Sequence, residues 1–376
     1  MEDNYIIAVD MSKSWDWKTN VSETVVNKTH ALGTENYVPN VQSATLFQGA
    51  PDDTQIYLYG GVTPDVNTSF TNFQGPTTNQ YTLWGFDTES HDWTQYDVLL
   101  DVPERPSWGA AAEMPEYGLA FYLNGLITNM SSITTDSADI APTNLGGMVV
   151  LDLQNHTATN RSTDTVADTP RIRGGMASIP QIGIGMDQVN IFDVASAPDS
   201  QSDDDGWYTQ TITGEAPAPR VDFCLVVAPA PDNSSFNIHM YGGWDPVQDE
   251  YFDDIWVLSI PSFTWIQVFQ GSSPRFGHTC HAVGNRQMVT VGGINNGTNA
   301  THECDWEYMG VAIFDLTLLG WGSVYDSGKA PYQVSAPISA VVGGGPDGGA
   351  TKLFPDGGWT STLSAVSLAA WLSSVP

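Results

Sequence analysis

Apolar positions along this chain fall into short runs that end in paired glycines. Gln55-Ile56-Tyr57-Leu58-Tyr59 leads into Gly60-Gly61, and Phe236 to Tyr241 leads into Gly242-Gly243. Gln287 to Val291 precedes Gly292-Gly293, and Ser339 to Val342 precedes Gly343-Gly344. A weaker copy, Leu119 to Leu123, ends in Asn124-Gly125. These runs are rich in β-branched and aromatic residues and lack helical periodicity, which predicts strands buried on both faces.

Two further elements keep the same order around each run. After it comes an apolar strand ending in Asp or Ser, in most copies followed by a Trp that opens the next strand. Examples are Leu83 to Asp87 with Trp93, Val149 to Asp152, Val189 to Asp193 with Trp207, Ile255 to Ser259 with Trp265, and Val311 to Asp315 with Trp321. Before it stands an Arg that opens a strand: Arg105, Arg171, Arg220 and Arg275. Four of the chain's seven arginines hold this one position. The elements together describe a four-stranded antiparallel unit. Its glycine pairs recur after 50 residues (Gly242 to Gly292) and 51 residues (Gly292 to Gly343), a period that signals a repeat architecture.

The order Arg-strand, strand-Gly-Gly, strand-Asp and Trp-strand resembles the kelch repeat over nearly the whole chain. The likeness is strongest from Asp193 to Gly293, including Trp207-Tyr208-Thr209-Gln210 and Leu258 to Trp265. It is similar to the extracellular kelch regions of fungal membrane-anchored proteins. The resemblance implies an all-β fold, a β-propeller whose ring closure leaves only short, protected sheet edges. Strand ends at Asp10, Asp87, Asp152, Asp193, Ser259 and Asp315 give six blades. Five lie near 40–100, 101–168, 169–213, 214–269 and 270–325; the sixth joins 330–345 to 1–20. In this reading Tyr5 to Asp10 pairs with a strand from Tyr332 to Val342, the propeller spans 1–358, and 359–376 is a tail. The third blade is short: Arg171 to Asp193 is 22 residues, whereas Arg220 to Ser259 is 39 and Arg275 to Asp315 is 40. A strand near Gln181 to Gly185 is therefore expected to be missing.

Charge narrows the partners. Twelve basic residues face 43 acidic ones, a net charge of −31, and such a field repels a phosphate backbone. No apolar stretch reaches the ~18 to 20 residues that cross a bilayer. The N-terminus, Met1-Glu2-Asp3-Asn4-Tyr5, lacks the basic and apolar regions of a signal peptide. Nevertheless, Asn-X-Ser/Thr occurs at Asn20, Asn27, Asn67, Asn129, Asn155, Asn160, Asn233, Asn296 and Asn299. Chance predicts roughly three or four such sequons, and the excess points to a glycosylated, extracellular or cell-surface chain. The targeting segment, and any membrane anchor, is then expected outside this sequence. Of the three cysteines, Cys280 and Cys304 flank one predicted hairpin and are the expected disulfide, with Cys224 left over.

The search for chemistry yields little. The kelch fold hosts a copper-radical oxidase of the galactose-oxidase type, which needs two imidazoles and two phenols converging on one metal. The best local set is His278-Thr279-Cys280-His281 with His302 and Cys304. On a strand, however, His278 and His281 point to opposite faces. The iron-binding Glu-x3-Asp-x3-His pattern of plant kelch specifier proteins is also incomplete, because Leu258 follows Glu250 and Asp254. Asp203-Asp204-Asp205-Gly206 lacks the alternating ligands of a Ca²⁺ loop. No catalytic residue, metal ligand or cofactor is expected. The loop from Trp244 to Asp254 mixes aromatic and acidic residues, and Trp244, Asp245, Tyr251 and Phe252 form the candidate binding loop. The expected function is non-enzymatic recognition of a protein or cell-wall glycan, the alternatives being a secreted oxidase or an intracellular kelch scaffold.

Overall fold

The computed structural model describes residues 5–28, 38–62, 83–98, 106–129, 131, 141–166, 172–177, 183–184, 186–194, 206–295 and 310–360. Near the N-terminus β1 (Tyr5–Val9) pairs with β3 (Glu23–Asn27), and β2 (Trp15–Asp16) lies between them in sequence. A first four-stranded sheet comprises β4 (Gln42–Gln48), β5 (Gln55–Val62), β6 (Leu83–Asp87) and β7 (Trp93–Tyr96), in that order. A second comprises β8 (Ala110–Met114), β9 (Leu119–Leu123), β12 (Met148–Asp152) and β13 (Thr157–Arg161). It carries the small ladder β10 (Leu126–Ile127) with β11 (Thr143–Asn144). The third sheet has three strands among the described residues: β14 (Gly183–Ile184), β15 (Gln188–Phe192) and β16 (Trp207–Thr211), so a two-residue strand paired with β15 stands where the sequence leads to the expectation of a missing one.

The fourth sheet runs β18 (Cys224–Pro229), β19 (Phe236–Tyr241), β22 (Asp254–Ile260) and β23 (Thr264–Gln270), and β17 (Thr213–Gly214) adds to its edge in parallel. Its second and third strands are joined through the hairpin β20 (Trp244–Asp245) and β21 (Glu250–Tyr251). The fifth sheet is β24 (Phe276–Val283), β25 (Gln287–Ile294), β26 (Val311–Asp315) and β27 (Gly320–Gly322). β28 (Val324–Tyr325) pairs with β2, and one helix, α1 (Ala336–Val342), follows. No helix among the described residues is long and apolar enough to cross a membrane.

The chain divides into two compact units. One contains residues 1–8, 24–174 and 197–205; the other contains 9–23, 175–196 and 206–376. The first buries Tyr57, Tyr59 and Leu83 with Tyr122, Val149 and Leu151. The second has one core around Ile238, Met240, Leu258 and Phe263, and another around Ile255, Val257, Met288 and Phe314.

Each repeated residue type has a physical task. Asp87, Asp152 and Asp315 cap the turn after the third strand. In each, Oδ1 accepts backbone N–H bonds from the residues two and three positions on, at 2.8–3.0 Å. A left-handed residue then admits the fourth strand: His91 at φ 62°, His156 at 52° and Leu319 at 57°. The fourth-strand Trp packs on the third strand's aromatic ring, with centroids 5.0 Å apart for Trp93 on Phe86, Trp207 on Phe192 and Trp321 on Phe314. Trp265 instead donates from Nε1 to the Met186 carbonyl at 2.9 Å.

The glycine pairs join neighbouring sheets. Gly61, at φ 88°, donates its N–H to the Pro106 carbonyl at 2.8 Å; Gly243, at φ 95°, donates to the Arg275 carbonyl at 2.8 Å. A β-carbon on Gly242 would strike that same Arg275 carbonyl, so the close approach as well as the positive φ demands glycine. Arg220 has a buried guanidinium that forms a bidentate pair with Asp254 and also donates to the Gly242 carbonyl at 3.1 Å. The guanidinium lies 3.8 Å from the Phe252 ring centroid. Arg275 donates to the Gly292 carbonyl in the equivalent position of the fifth sheet. Arg105 and Arg171 lie outside the described residues.

Four sequence expectations are corrected here. Tyr5–Val9 pairs with Glu23–Asn27 and not with the C-terminal segment. The stretch before Gly343-Gly344 is α1, with Pro337 in its first turn and Gly343 just past its end, a placement that favours a helix. Ile338 and Val342, one turn apart, are buried against Tyr332 and Val334. The segments that do meet are β2 and β28, in the register Trp15 with Tyr325. Finally, Cys280 is bonded to Cys224 and not to Cys304, which lies outside the described residues. β18 and β24 open adjacent sheets and bring the two α-carbons to 5.5 Å, a separation suited to a disulfide. The predicted hairpin was the wrong guide because the partner lies on the neighbouring sheet. Residues 359–360 also differ from a free tail: Trp359 packs on Phe263 at 5.9 Å, and Thr360 Oγ1 accepts from Thr211 N at 3.1 Å.

Buried His239 gives the fold an acid sensitivity. Its Nδ1 contacts the Asn237 carbonyl at 3.1 Å, and burial pushes its pKa down to about 4. The unfolded chain therefore binds a proton that the folded chain refuses between about pH 6.5 and 4, so stability is complete above that window and falls through it. The expected loss at pH 5 relative to pH 8 is about 2 kcal/mol from this group. Urea midpoints at the two pH values check this, and His239→Gln is expected to remove that share of the slope.

Candidate functional site: an aromatic hairpin on the fourth sheet

The hairpin of β20 and β21 carries the candidate binding loop. Its register sets Trp244 opposite Tyr251 and Asp245 opposite Glu250. Asp245 is buried, and its Oδ1 accepts from Val247 N at 2.8 Å and Gln248 N at 3.2 Å, which shapes the turn. Val247 at the tip is 83% exposed. Phe252 is also buried, beneath the Arg220 guanidinium. Asp245 and Phe252 thus build the hairpin, whereas Trp244 and Tyr251 remain half-exposed.

Those two rings are stacked, 5.8 Å apart with a 14° interplanar angle. Phe276, at the start of β24, completes a triangle at 5.6 Å from Trp244 and 5.4 Å from Tyr251. Trp244 Nε1 donates to Asp222 Oδ2 at 3.2 Å, and Tyr251 Oη donates to Asp249 Oδ1 at 2.8 Å. The hydrogen bond to Asp249 raises the Tyr251 pKa, because an adjacent carboxylate disfavours a phenolate. The patch is therefore three aromatic rings rimmed by Asp222, Asp249 and Glu250. Such a surface suits cationic or amphipathic groups through cation–π and carboxylate contacts.

Sequence reading missed Phe276 and Asp222. Both flank repeat arginines, one residue after Arg275 and two after Arg220, and that position was the available signal. A second concavity, about 500 Å³, opens between the β18–β19 and β24–β25 turns. Its walls include Pro229, Pro231, Pro331 and Tyr332, and Arg286 on its lining is held by Asp315 at 3.0 Å.

The structure separates His278 from His281: the first is buried, the second exposed beside Thr279 at 3.0 Å. Asp254 is engaged by Arg220 and by Trp256 Nε1 at 2.8 Å. Of the sequons, Asn20, Asn27, Asn129 and Asn155 are exposed and Asn233 is half-exposed. Asn160, in β13, is partly buried and donates from Nδ2 to the Gly146 carbonyl at 3.1 Å. Asn67, Asn296, Asn299, His302 and Asp203 to Asp205 lie outside the described residues.

No family model matches the chain. Over 383 residues it is 25% identical to a kelch repeat-containing protein of Arthroderma benhamiae, covering 80% of this chain and 53% of that relative. The chain thus spans about half the length of the curated relative it matches. With the recurring four-stranded sheets, this likeness supports an all-β fold of the kelch β-propeller type.

Proposed function

We propose that this chain is a non-enzymatic recognition module, a single six-bladed kelch propeller displayed outside the cell, and that it binds a protein partner through the aromatic hairpin. The observation that carries the reading is the half-exposed triangle of Trp244, Tyr251 and Phe276 with its acidic rim. Interfaces concentrate their energy in such aromatic anchors, and the rim selects a partner segment bearing Lys or Arg. A cell-wall glycan, which also stacks on aromatic rings, is the rival ligand. The nine sequons support extracellular display, and the kelch repeat-containing relative comes from a fungus.

The test presents the purified chain to immobilised basic, neutral and acidic peptides and to β-glucan and chitin. Binding to basic peptides, weakened on the order of thirtyfold by Trp244→Ala or Tyr251→Ala, is the expected result. Binding to the polysaccharides alone would move the assignment to a glycan, and peroxide release from sugars or alcohols would move it to an oxidase. In a glycosylating host, mass spectrometry is expected to find glycans on Asn20, Asn27 and Asn129. Wholly unmodified sequons would favour an intracellular scaffold.

A further inference from the structure

The disulfide between β18 and β24 has a third member. The ring of His278 and the sulfurs of Cys224 and Cys280 place their donor atoms within 4.8 Å of one another. His278 is 5% exposed, and neither ring nitrogen has a well-formed hydrogen-bond partner, although the Tyr241 backbone approaches it. A buried imidazole without such partners carries unused donor capacity. The pocket around it is aromatic: the Tyr241 ring lies 4.9 Å from His278, and Trp321 packs on Tyr241 at 4.8 Å. Burial and the nearby Arg275 charge keep the imidazole neutral, the form that ligates metals.

We propose that reduction of the Cys224–Cys280 bond converts this cluster into a three-donor site for a soft monovalent cation, Cu(I). The sulfur–sulfur bond breaks as a phosphine or dithiol reductant supplies two electrons, and each sulfur takes a proton. Binding then releases both protons as two sulfur–copper bonds form, and an imidazole nitrogen gives the third. Two thiolates and an imidazole in an apolar pocket are soft donors. Three donors suit trigonal Cu(I) better than the four-coordinate Zn²⁺. The complex carries a net negative charge, and Arg275 stands beside it to balance that charge. Oxidised, the sheets are joined covalently; reduced, they are joined through the metal.

The test reduces the full chain under argon, removes the reductant, and offers Cu(I) from a coloured bicinchoninate complex. Reduced protein is expected to withdraw copper stoichiometrically, and the oxidised protein is expected to withdraw none. Cys224→Ser and Cys280→Ser should abolish uptake, and Cys304→Ser should leave it intact. His278→Gln should weaken it by about tenfold or more, since it removes a ligand, a larger loss than deleting an outer-shell partner. X-ray absorption should show two sulfurs and one nitrogen at the metal. Circular dichroism checks that each variant is folded. A folded, reduced chain that takes up no copper, that prefers Zn²⁺, or whose uptake is unchanged in His278→Gln or lost in Cys304→Ser would overturn the proposal.

Discussion

An Arg220→Met chain is expected to unfold about 3–5 kcal/mol more easily than the parent, the usual cost of removing one partner from a buried ion pair. Asp254 would be left charged and enclosed, having lost a bidentate partner. The Gly242 carbonyl would lose its donor, and the Phe252 ring its cation. Trp256 Nε1 would still donate to Asp254 but cannot neutralise it. Urea or guanidinium denaturation measures the difference. The double variant Arg220→Met/Asp254→Leu separates charge from packing. If the cost comes from the stranded carboxylate, the double variant recovers most of the loss. A single variant within about 0.5 kcal/mol of the parent would show that this arginine carries no structural weight.

The second large effect belongs to the disulfide. Cys224 and Cys280 are 56 residues apart, and by chain entropy a cross-link closing such a loop is worth about 4 kcal/mol. Cys224→Ser under oxidising conditions should lower stability by about that amount, whereas Cys304→Ser should leave it nearly unchanged. Peptide mapping without reduction gives the direct answer: the bonded pair should join the peptides containing Cys224 and Cys280. A peptide joining Cys280 to Cys304 would contradict the structure.

Local features of the fold could be read from the sequence because each has a local cause. Asp87, Asp152 and Asp315 cap their own turns two and three residues on, so the Asp is visible wherever a turn follows. Gly60-Gly61 and Gly242-Gly243 need positive φ, which few other residues tolerate. Features set by distant chain were not readable in this way. Cys224 finds Cys280 across a sheet boundary, and nothing in the spacing of three cysteines distinguishes that partner. The stretch Ala336 to Val342 is apolar and β-branched enough to pass for a strand. Its Pro337 and Gly343 would have indicated a helix, had the repeat pattern not suggested another Gly-Gly run. The site shows the same division. Trp244 and Tyr251 were visible as aromatic residues in a loop, but their platform is completed by Phe276 from the next sheet.

The pairing of β2 with β28 constrains how the chain can emerge from a ribosome. Trp15 meets Tyr325, 310 residues later, and Trp17 N donates to the Ser323 carbonyl at 3.0 Å. Synthesis of that interval takes roughly 15 to 60 s at ordinary elongation rates. For most of it, Trp15 and Trp17 lack Val289, Val311 and Ile313, the side chains they finally pack with. The sheet from Gln42 to Tyr96 needs no such wait, since its four strands are consecutive. Vectorial folding therefore completes the middle of the chain first and leaves an aromatic N-terminal segment exposed, a ready ligand for the cell's folding helpers until Tyr325 arrives.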